Sequence, residues 1–302
     1  MKGKEKMKKE KTKIEGIIPP LLTCFDKDGG IYEKGQREII EFILPYIDGV
    51  YPCGTYGSGP LMSADERKTV AEIVIDQING RIPVIMHVGA ASTKETINLA
   101  KHAEKTGADA VGAIAPYYYK YNNRELINHY KRLIDSVDIP VFLYNNPHVS
   151  GNNITPEVLN ELAGSGLAGV KDSAFDLVNF YLYQIEVENP NFKFVIGTEA
   201  IALGAFMSGA EAAICGVANV IPEPLHRLWE LVQRKEWKEA QKVQMEVLKI
   251  RKIMKMGSTL TNCYAILKIR GIDCGWPRMP YLPVDDELYN KIKEELSKLN
   301  VF

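Results

Sequence analysis

This chain of 302 residues has no excess of charge of either sign, no paired cysteines and no long apolar run. Lysine and arginine total 37, aspartate and glutamate total 38, and the net charge is -1. Such a balance offers no basic surface for nucleic acid and no attraction to an anionic membrane. The partners that we expect are small molecules and other copies of this chain, with no nucleic acid and no membrane among them.

Cysteine and histidine are also scarce. The five cysteines are odd in number and include no CxxC pair, which argues against a disulfide framework and a zinc site. We expect them to be small buried residues in a reducing cytoplasm. There are five histidines, and metal ligands must cluster, so we predict no metal site. No Gly-rich phosphate fingerprint occurs, although a phosphate site near Gly216 and Asn219 stays open.

The apolar stretches 200–210 and 212–222 are too short to span a bilayer and are separated by Glu211. Residues 1–13 consist mainly of lysine and glutamate and lack the apolar segment of a signal peptide. We therefore predict a flexible basic arm at residues 1–13 and a cytoplasmic protein.

Short β-branched runs alternate with amphipathic stretches along the chain. The runs are apolar at every position, as expected of parallel strands that helices cover. Eight strands, each followed by a helix, predict an α/β protein with a (β/α)₈ barrel. Pro19 and Pro20 interrupt the first run and suit the bottom of a strand or a bulge. The eight predicted strands are 17–23, 49–53, 83–88, 110–115, 140–144, 167–171, 192–197 and 212–216.

Helix boundary signals separate these strands. Ser63 and Ser92 each precede a glutamate by three residues, which predicts two capping boxes. Pro156 suits a first helical position, and Gly107 suits the left-handed residue after a helix. Helices are predicted at about 222–234, 237–256 and 286–299, with a proline-rich connector at 274–283. We therefore divide the chain into the arm 1–13, a catalytic barrel 14–235 and a C-terminal helical appendage 236–302.

Lys171 ends the apolar strand 167–171. Burial disfavours a charged ammonium and lowers its pKa, and a neutral amine can condense with a ketone to form a Schiff base. Alternatively, the side chain leans into solvent or pairs with Asp172.

Hydroxyl groups and glycines follow the other strands, and strand ends form the active-site face of such barrels. Tyr144 could shuttle protons, because a nearby cation lowers the pKa of a phenol. Thr55 and the amides around Gly57 could bind a carboxylate. Tyr144 could instead be an ordinary core aromatic, and the tyrosines at 117–119 could serve an interface or the surface.

These strand-end residues resemble the dihydrodipicolinate synthase / N-acetylneuraminate lyase family of class I pyruvate-dependent barrels. The resemblance extends from about residue 14 to the C-terminus. Five short motifs carry it in the same order along the chain: Gly54-Thr55-x-Gly57, Pro116-Tyr117-Tyr118, Tyr144-Asn145-x-Pro147, Gly169-Val170-Lys171-Asp172 and Gly216-Val217-Ala218-Asn219.

The resemblance implies roles for these residues. Lys171 would form the Schiff base with pyruvate or another 2-oxo acid, and Tyr144 would shuttle the proton. Thr55 would link Tyr144 to Tyr118 of a neighbouring subunit, which implies at least a dimer. Because the family is usually tetrameric, the resemblance further implies a homotetramer built as a dimer of dimers. The residues implied to bind substrate are Tyr56, Gly57, Ile214, Glu199 and Ser173.

The departures from the family pattern concern the second substrate. The family usually has threonine at Tyr56 and glutamate at Ser58. Dihydrodipicolinate synthases carry an arginine where Val149 stands, and the neighbouring His148 is a poor substitute. Sialic-acid lyases place polar groups where Ala200 and Gly216 stand.

We therefore expect a lyase or aldolase that cleaves or forms a carbon–carbon bond to pyruvate, acting on a 2-keto-3-deoxy sugar acid or a related 2-oxo acid. The protonated imine would be the electron sink, so we expect no metal and no organic cofactor. Dihydrodipicolinate synthase is the alternative within this class. A non-catalytic barrel that binds a 2-oxo acid is the alternative from another class.

Overall fold

The computed structural model describes residues 13–299, so all of the predicted basic arm except Lys13 lies outside the described residues. Within them, seven parallel strands form one curved sheet in the order β1-β7-β6-β5-β4-β3-β2. The strands are β1 (Gly16–Ile18), β2 (Ile85–His87), β3 (Ala110–Ile114), β4 (Val141–Asn145), β5 (Gly169–Asp172), β6 (Lys193–Ile196) and β7 (Ala212–Ile214).

Segment 49–53 closes the barrel, but it does not form the regular strand that the sequence predicted. Val50 forms a parallel bridge with Val84, beside β2. On the other side, the Tyr51 N–H donates to the Pro19 carbonyl at 2.9 Å, beside β1. Proline has no N–H to donate, so Pro19 leaves the ladder with the first strand incomplete and Pro52 leaves the ladder with β2 incomplete. The eight-part barrel is confirmed, while the regular strand at 49–53 is wrong and the predicted first strand is shortened.

Helices cover the outside of the barrel. They are α1 (Glu33–Ile43), α2 (Ala64–Ile78), α3 (Thr93–Thr106), α4 (Asn123–Ile134), α5 (Pro147–Ser150), α6 (Pro156–Gly164), α7 (Leu177–Glu186), α8 (Ala202–Met207), α9 (Glu223–Gln233), α10 (Trp237–Met254), α11 (Thr259–Ile269) and α12 (Asp286–Ser297). Short 3₁₀ turns lie at Leu44–Tyr46, Gly59–Leu61, Glu199–Ile201 and Gly216–Asn219.

Most of the predicted helix signals are present. Ser63 and Glu66 form a complete capping box, Pro156 begins α6, and Gly107 follows α3 with a φ of 106°. Ser92 caps α3 through the Glu95 N–H, but the returning bond from the Glu95 side chain is absent from the described contacts. That carboxylate accepts from Asn98 instead. The capping box predicted at Ser92 is therefore only half formed.

The C-terminal helices pack on the barrel, and α10 and α11 reach its catalytic end. The Gln244 side chain on α10 accepts from the Leu203 N–H and donates to the Glu199 carbonyl. The Tyr264 hydroxyl on α11 donates to the Thr23 carbonyl at 2.6 Å. These bonds place the extension beside the loops that follow β1 and β6. The helical extension is thus confirmed, while the division of the chain at residue 235 stays a prediction.

Two buried clusters form the core. The larger lies between the strands and the surrounding helices. The smaller fills the barrel interior and includes Ile18, Ile85, Phe142, Val195 and Ile214. Bulky apolar residues below the catalytic end exclude water from the barrel axis, which sets the environment of any polar group above them.

Candidate active site

Lys171 lies inside the barrel. It belongs to β5, and only 4% of its surface is exposed. Its Nζ atom lies 3.7 Å from the centroid of the Tyr144 ring and 4.4 Å from that of the Tyr51 ring. Burial lowers the pKa of the Lys171 ammonium, and the nearby Tyr144 opposes the shift only in part. The alternative of a solvated lysine is therefore wrong.

Asp172 does not pair with Lys171. Successive residues of a strand point to opposite faces, so its side chain lies on the helix side of β5. There the carboxylate accepts from Asn145 Nδ2 at 2.8 Å, and the same amide donates to the Tyr183 hydroxyl of α7 at 3.0 Å. Burial raises the pKa of Asp172 to about 6.

Tyr144 is the polar neighbour of Lys171. The two residues are register partners on β4 and β5, and both point into the barrel. Burial alone would raise the pKa of the Tyr144 phenol, but the Lys171 charge and hydrogen bonds from neighbouring side chains reverse this, so the pKa is lowered. Asn146 Nδ2 donates to the phenol oxygen at 2.9 Å, and Thr55 Oγ1 lies 3.4 Å from it. A phenol with a lowered pKa suits proton transfer near neutral pH.

Tyr51 and His87 lie beside this pair. The Tyr51 hydroxyl is buried and has no hydrogen-bond partner among the described residues. His87 Nε2 accepts from the Ile114 N–H, so Nδ1 carries the proton and donates to the Cys53 carbonyl. Burial lowers the pKa of His87 well below its usual value, with a smaller effect from the charges of Arg67 and Lys171. These rings provide a neutral aromatic surface beside the amine.

Thr55, Tyr56 and Gly57 occupy a tight loop after the irregular segment 49–53. The loop is held by a hydrogen bond from Thr23 Oγ1 to the Gly57 carbonyl at 2.7 Å. A side chain at Gly57 would lie 2.8 Å from both the Leu21 carbonyl oxygen and the Cys53 nitrogen, so only glycine fits. The amides of Tyr56 and Gly57 have no acceptor within residues 13–299 and are available to an anion.

Glu199 lies at the end of β6 and is fully engaged by the protein. Its Oε1 atom is 2.8 Å from Arg251 Nε, and its Oε2 atom accepts from the Gly216 N–H at 3.0 Å. Arg251 comes from α10, so the C-terminal extension contributes a cation to the catalytic end. Both side chains are largely buried, at 5% and 18% exposure. This ion pair connects the loop after β6, the end of β7 and α10.

Ser173 and Ile214 also lie at this end of the barrel. Ser173 Oγ donates to the Gly197 carbonyl at 3.0 Å, and its hydroxyl also helps to lower the pKa of Tyr144. Ile214 is the last residue of β7, and its side chain packs in the interior cluster.

Tyr118 is the predicted site residue that does not join the others within one chain. It is 87% exposed, it stacks edge-on with Tyr119, and its φ of 84° is unusual for a residue other than glycine. A direct contact with Thr55 in the same chain is absent from the described contacts.

Sequence reasoning missed three contributors. Tyr51 belongs to a predicted strand, where alternation alone could have placed it inside the barrel. Asn146 stood unassigned within the Tyr144-Asn145-x-Pro147 motif. Arg251 carries no sequence signal, because its partner Glu199 is distant along the chain and only the packing of α10 joins them.

A buried amine beside a phenol of lowered pKa, at the catalytic end of a (β/α)₈ barrel, is typical of Schiff-base lyases. The chain belongs to the Dihydrodipicolinate synthetase family, whose model matches residues 13–299. The members of this family are class I pyruvate-dependent aldolases and lyases, so the chain is an enzyme of that class. The alternative of a non-catalytic barrel that binds a 2-oxo acid is therefore wrong.

Individual relatives differ in their named reactions. The chain is 32% identical over 292 residues to a 4-hydroxy-tetrahydrodipicolinate synthase of Methanopyrus kandleri, a match covering 95% of this chain and 97% of the relative. It is 34% identical to a probable 2-dehydro-3-deoxy-D-pentonate aldolase of Escherichia coli K12, covering 72% and 75%. Among solved structures, the E. coli K12 prophage protein YagE in complex with pyruvate has a TM-score of 0.92 at 27% identity, covering 95% and 99%.

Within residues 13–299, no helix is long and apolar enough to cross a membrane. The same residues contain no group of three or more histidine, cysteine, aspartate or glutamate side chains placed to hold a metal ion. All five cysteines are free and buried, as the sequence predicted.

Proposed function

We propose that Lys171 forms a Schiff base with pyruvate and that the enzyme makes or breaks a carbon–carbon bond at C3 of the bound pyruvate. The observation that carries this proposal is the Lys171 amine, buried against the Tyr144 ring at 3.7 Å. In this site burial lowers the pKa of the amine, which makes the nucleophilic form accessible.

The residues fit each step of such a reaction. The neutral amine attacks the C2 carbonyl, Tyr144 protonates the resulting hydroxyl, and water leaves to give a protonated imine. The Tyr144 phenolate left by that step then takes a C3 proton, which gives an enamine. The enamine attacks the aldehyde carbon, and Tyr144 returns the proton to the aldehyde oxygen as the new bond forms. Hydrolysis then returns the free lysine, and cleavage follows the same steps in reverse. The available amides of Tyr56 and Gly57 are suited to hold the pyruvate carboxylate.

The second substrate that we propose is the aldehyde portion of a 2-keto-3-deoxy sugar acid. Val149, where an arginine would grip a dicarboxylic substrate, is an exposed residue of α5. His148 beside it contacts the Ala174 carbonyl through Nε2 at 3.4 Å. Dihydrodipicolinate synthesis remains the second candidate, because a relative covering nearly the whole chain carries that name.

Two separate apolar surfaces support a dimer of dimers. One consists of Tyr118 and Tyr119, which are 87% and 64% exposed. The other is the outer face of α7, where Val178 and Ile185 are 66% and 73% exposed. Such patches on a soluble barrel suit contacts between identical subunits. The five buried thiols are typical of a reducing compartment, which supports a cytoplasmic location.

The Schiff base is tested by adding pyruvate, reducing with borohydride and locating the adduct by peptide mass spectrometry. We expect the adduct on Lys171, its loss in Lys171→Arg and its retention in Lys193→Arg, a matched change on the neighbouring strand β6. An unmodified Lys171 would overturn the mechanism. The aldehyde is then assigned by rates with aspartate semialdehyde, glycolaldehyde, glyceraldehyde and N-acetylmannosamine, and a dominant rate with aspartate semialdehyde would favour the second candidate.

A further inference from the structure

The phenol of Tyr56 lies directly against the backbone of Gly216. A Cβ atom added to Gly216 would be 2.3 Å from both the Cζ and the Oη atoms of Tyr56. Such a separation is far shorter than any van der Waals contact, so no other residue fits at 216 while the ring stays in place.

Steric exclusion by the Tyr56 ring is sufficient to explain why residue 216 is glycine. The φ of Gly216 lies outside the left-handed region, so any residue could adopt its backbone conformation. The missing side chain is therefore matched to the large one on Tyr56. The same relationship occurs deeper in the barrel, where a Cβ at Gly112 would lie 2.5 Å from the Tyr51 hydroxyl. In each pair, the side chain that the glycine lacks leaves room for the ring of a tyrosine on the facing loop or segment.

Tyr56 lies near the reacting centre, because the Tyr144 phenol is close enough to contribute to the raised pKa of the Tyr56 hydroxyl. Thr55, its neighbour in the loop, places its hydroxyl 3.4 Å from the Tyr144 phenol oxygen. Burial raises the pKa of Tyr56 well above its usual value, and the charge of Glu199 adds to the shift, so the ring stays neutral. Cys215, which precedes Gly216, is close enough to Lys171 for the ammonium charge to affect the pKa of its thiol.

The wall behind the phenol cannot give way easily. The Gly216 N–H donates to Glu199, and the other Glu199 oxygen pairs with Arg251 of α10. These contacts hold the end of β7 against the loop after β6 and against the C-terminal extension. The Tyr56 ring therefore cannot move further toward the end of β7, and it stays between Gly216 and the loop that carries Thr55.

We propose that Tyr56 determines substrate size: its ring, seated on Gly216, restricts the aldehyde partner to short hydroxyaldehydes such as glycolaldehyde and glyceraldehyde. This inference rests on the proposed Schiff-base function and specifies the other half of the substrate. A difference of one methylene group in a filled pocket changes kcat/KM by about 10- to 200-fold. Discrimination against the longer N-acetylmannosamine should be at least that large.

The test compares kcat/KM for pyruvate with glyceraldehyde and with N-acetylmannosamine. Tyr56→Thr should raise the ratio of long to short aldehyde by about tenfold or more. Tyr56→Phe keeps the ring volume and should leave the ratio within about threefold of the original. Tyr281→Thr, a tyrosine 40% exposed on the connector, is the matched control for the change in residue type.

The pairing with Gly216 is tested by a double-mutant cycle. Gly216→Ala should push the ring into the pocket and lower kcat/KM for glyceraldehyde by about tenfold, and Tyr56→Thr in the same chain should restore most of it. Gly164→Ala is the control, because no atom lies within 4 Å of the added Cβ there.

The outcomes separate this inference from the proposed function. Absence of a borohydride-trapped pyruvate adduct in the unmodified enzyme would overturn the Schiff base, and the size limit with it. An adduct together with an unchanged aldehyde ratio in Tyr56→Thr would overturn the size limit alone. A shift in Tyr56→Phe as large as that in Tyr56→Thr would also overturn it, because the hydroxyl and not the ring would then discriminate.

Discussion

Lys171 and Tyr144 face each other across adjacent strands, with the amine nitrogen 3.7 Å from the centroid of the phenol ring. Their Cα atoms are register partners between β4 and β5, so the pairing follows from strand register rather than from a loop conformation. Side chains on rigid strands hold their geometry better than side chains on loops. The pair is therefore the rigid centre of the site.

Tyr144→Phe should lower kcat by about 10²- to 10⁴-fold, because it removes the group proposed to move the proton. Steady-state kinetics with pyruvate and glyceraldehyde measures this. Tyr130→Phe is the control: it is also a buried tyrosine, and its hydroxyl donates to the Ala113 carbonyl at 3.1 Å. Equal losses in both variants would contradict a special role for Tyr144.

The rate of pyruvate-adduct formation should rise with pH and reach its plateau below 10.5, the usual pKa of lysine. Burial lowers the pKa of Lys171, so the nucleophilic amine predominates at a lower pH than on an exposed lysine. Tyr51→Leu admits water beside Nζ and should move this rise toward 10.5. Borohydride trapping as a function of pH follows both enzymes, and a rate still climbing tenfold per unit at pH 10 in the unmodified enzyme would refute the shift.

Asp172 should make the protein less stable as the pH rises from about 4 to about 6. Its carboxyl has a pKa of about 6 in the folded chain against 3.8 ordinarily, so the folded state binds the extra proton in this window. The free energy of unfolding then falls by about 3 kcal/mol as the pH rises through it. Denaturant unfolding at several pH values measures this slope.

Asp172→Asn should remove most of that slope, because the neutral amide does not titrate. The exposed Asp135→Asn serves as the control and should leave the slope in place. A slope that persists in Asp172→Asn would assign the pH dependence to other groups.

Breaking the Glu199–Arg251 ion pair should lower the free energy of unfolding. Glu199→Gln leaves the largely buried guanidinium without its counter-charge, which typically costs about 3–5 kcal/mol. The double variant Glu199→Gln/Arg251→Met should lose less than the sum of the two single changes. Glu161→Gln, which breaks the half-exposed pair with Lys131, should cost less than about 1 kcal/mol. Denaturant unfolding measures the loss of stability in each variant. Similar losses at both pairs would contradict the prediction that the buried pair contributes more to stability.

Ile185→Glu should divide the proposed tetramer into dimers, because it places a charge on the exposed apolar face of α7. Light scattering coupled to size exclusion measures the mass. Met245→Glu, at a position 50% exposed on α10, is the control for adding a charge at an exposed apolar residue. An unchanged mass in Ile185→Glu would place the contact between dimers elsewhere.

Local patterns in the amino-acid sequence determined the barrel, most helix boundaries and the position of Lys171 at a strand end. Hydrophobic runs and capping residues act over a few positions, so they can be interpreted without the fold. The segment 49–53 has the same apolar pattern, but its hydrogen bonds depend on which neighbours donate. Pro19 and Pro52 have no N–H to donate, so segment 49–53 forms an isolated bridge instead of a regular strand.

Only the tertiary structure decided which strand-end residues meet. It joined Glu199 to Arg251, turned Asp172 away from Lys171 and seated the Tyr56 ring on Gly216. Each of these depends on contacts between segments that are distant in sequence, where burial and packed volume rather than residue type determine the partner. The chemistry of the amine was therefore accessible from the sequence, whereas the shape of the pocket around it required the folded chain.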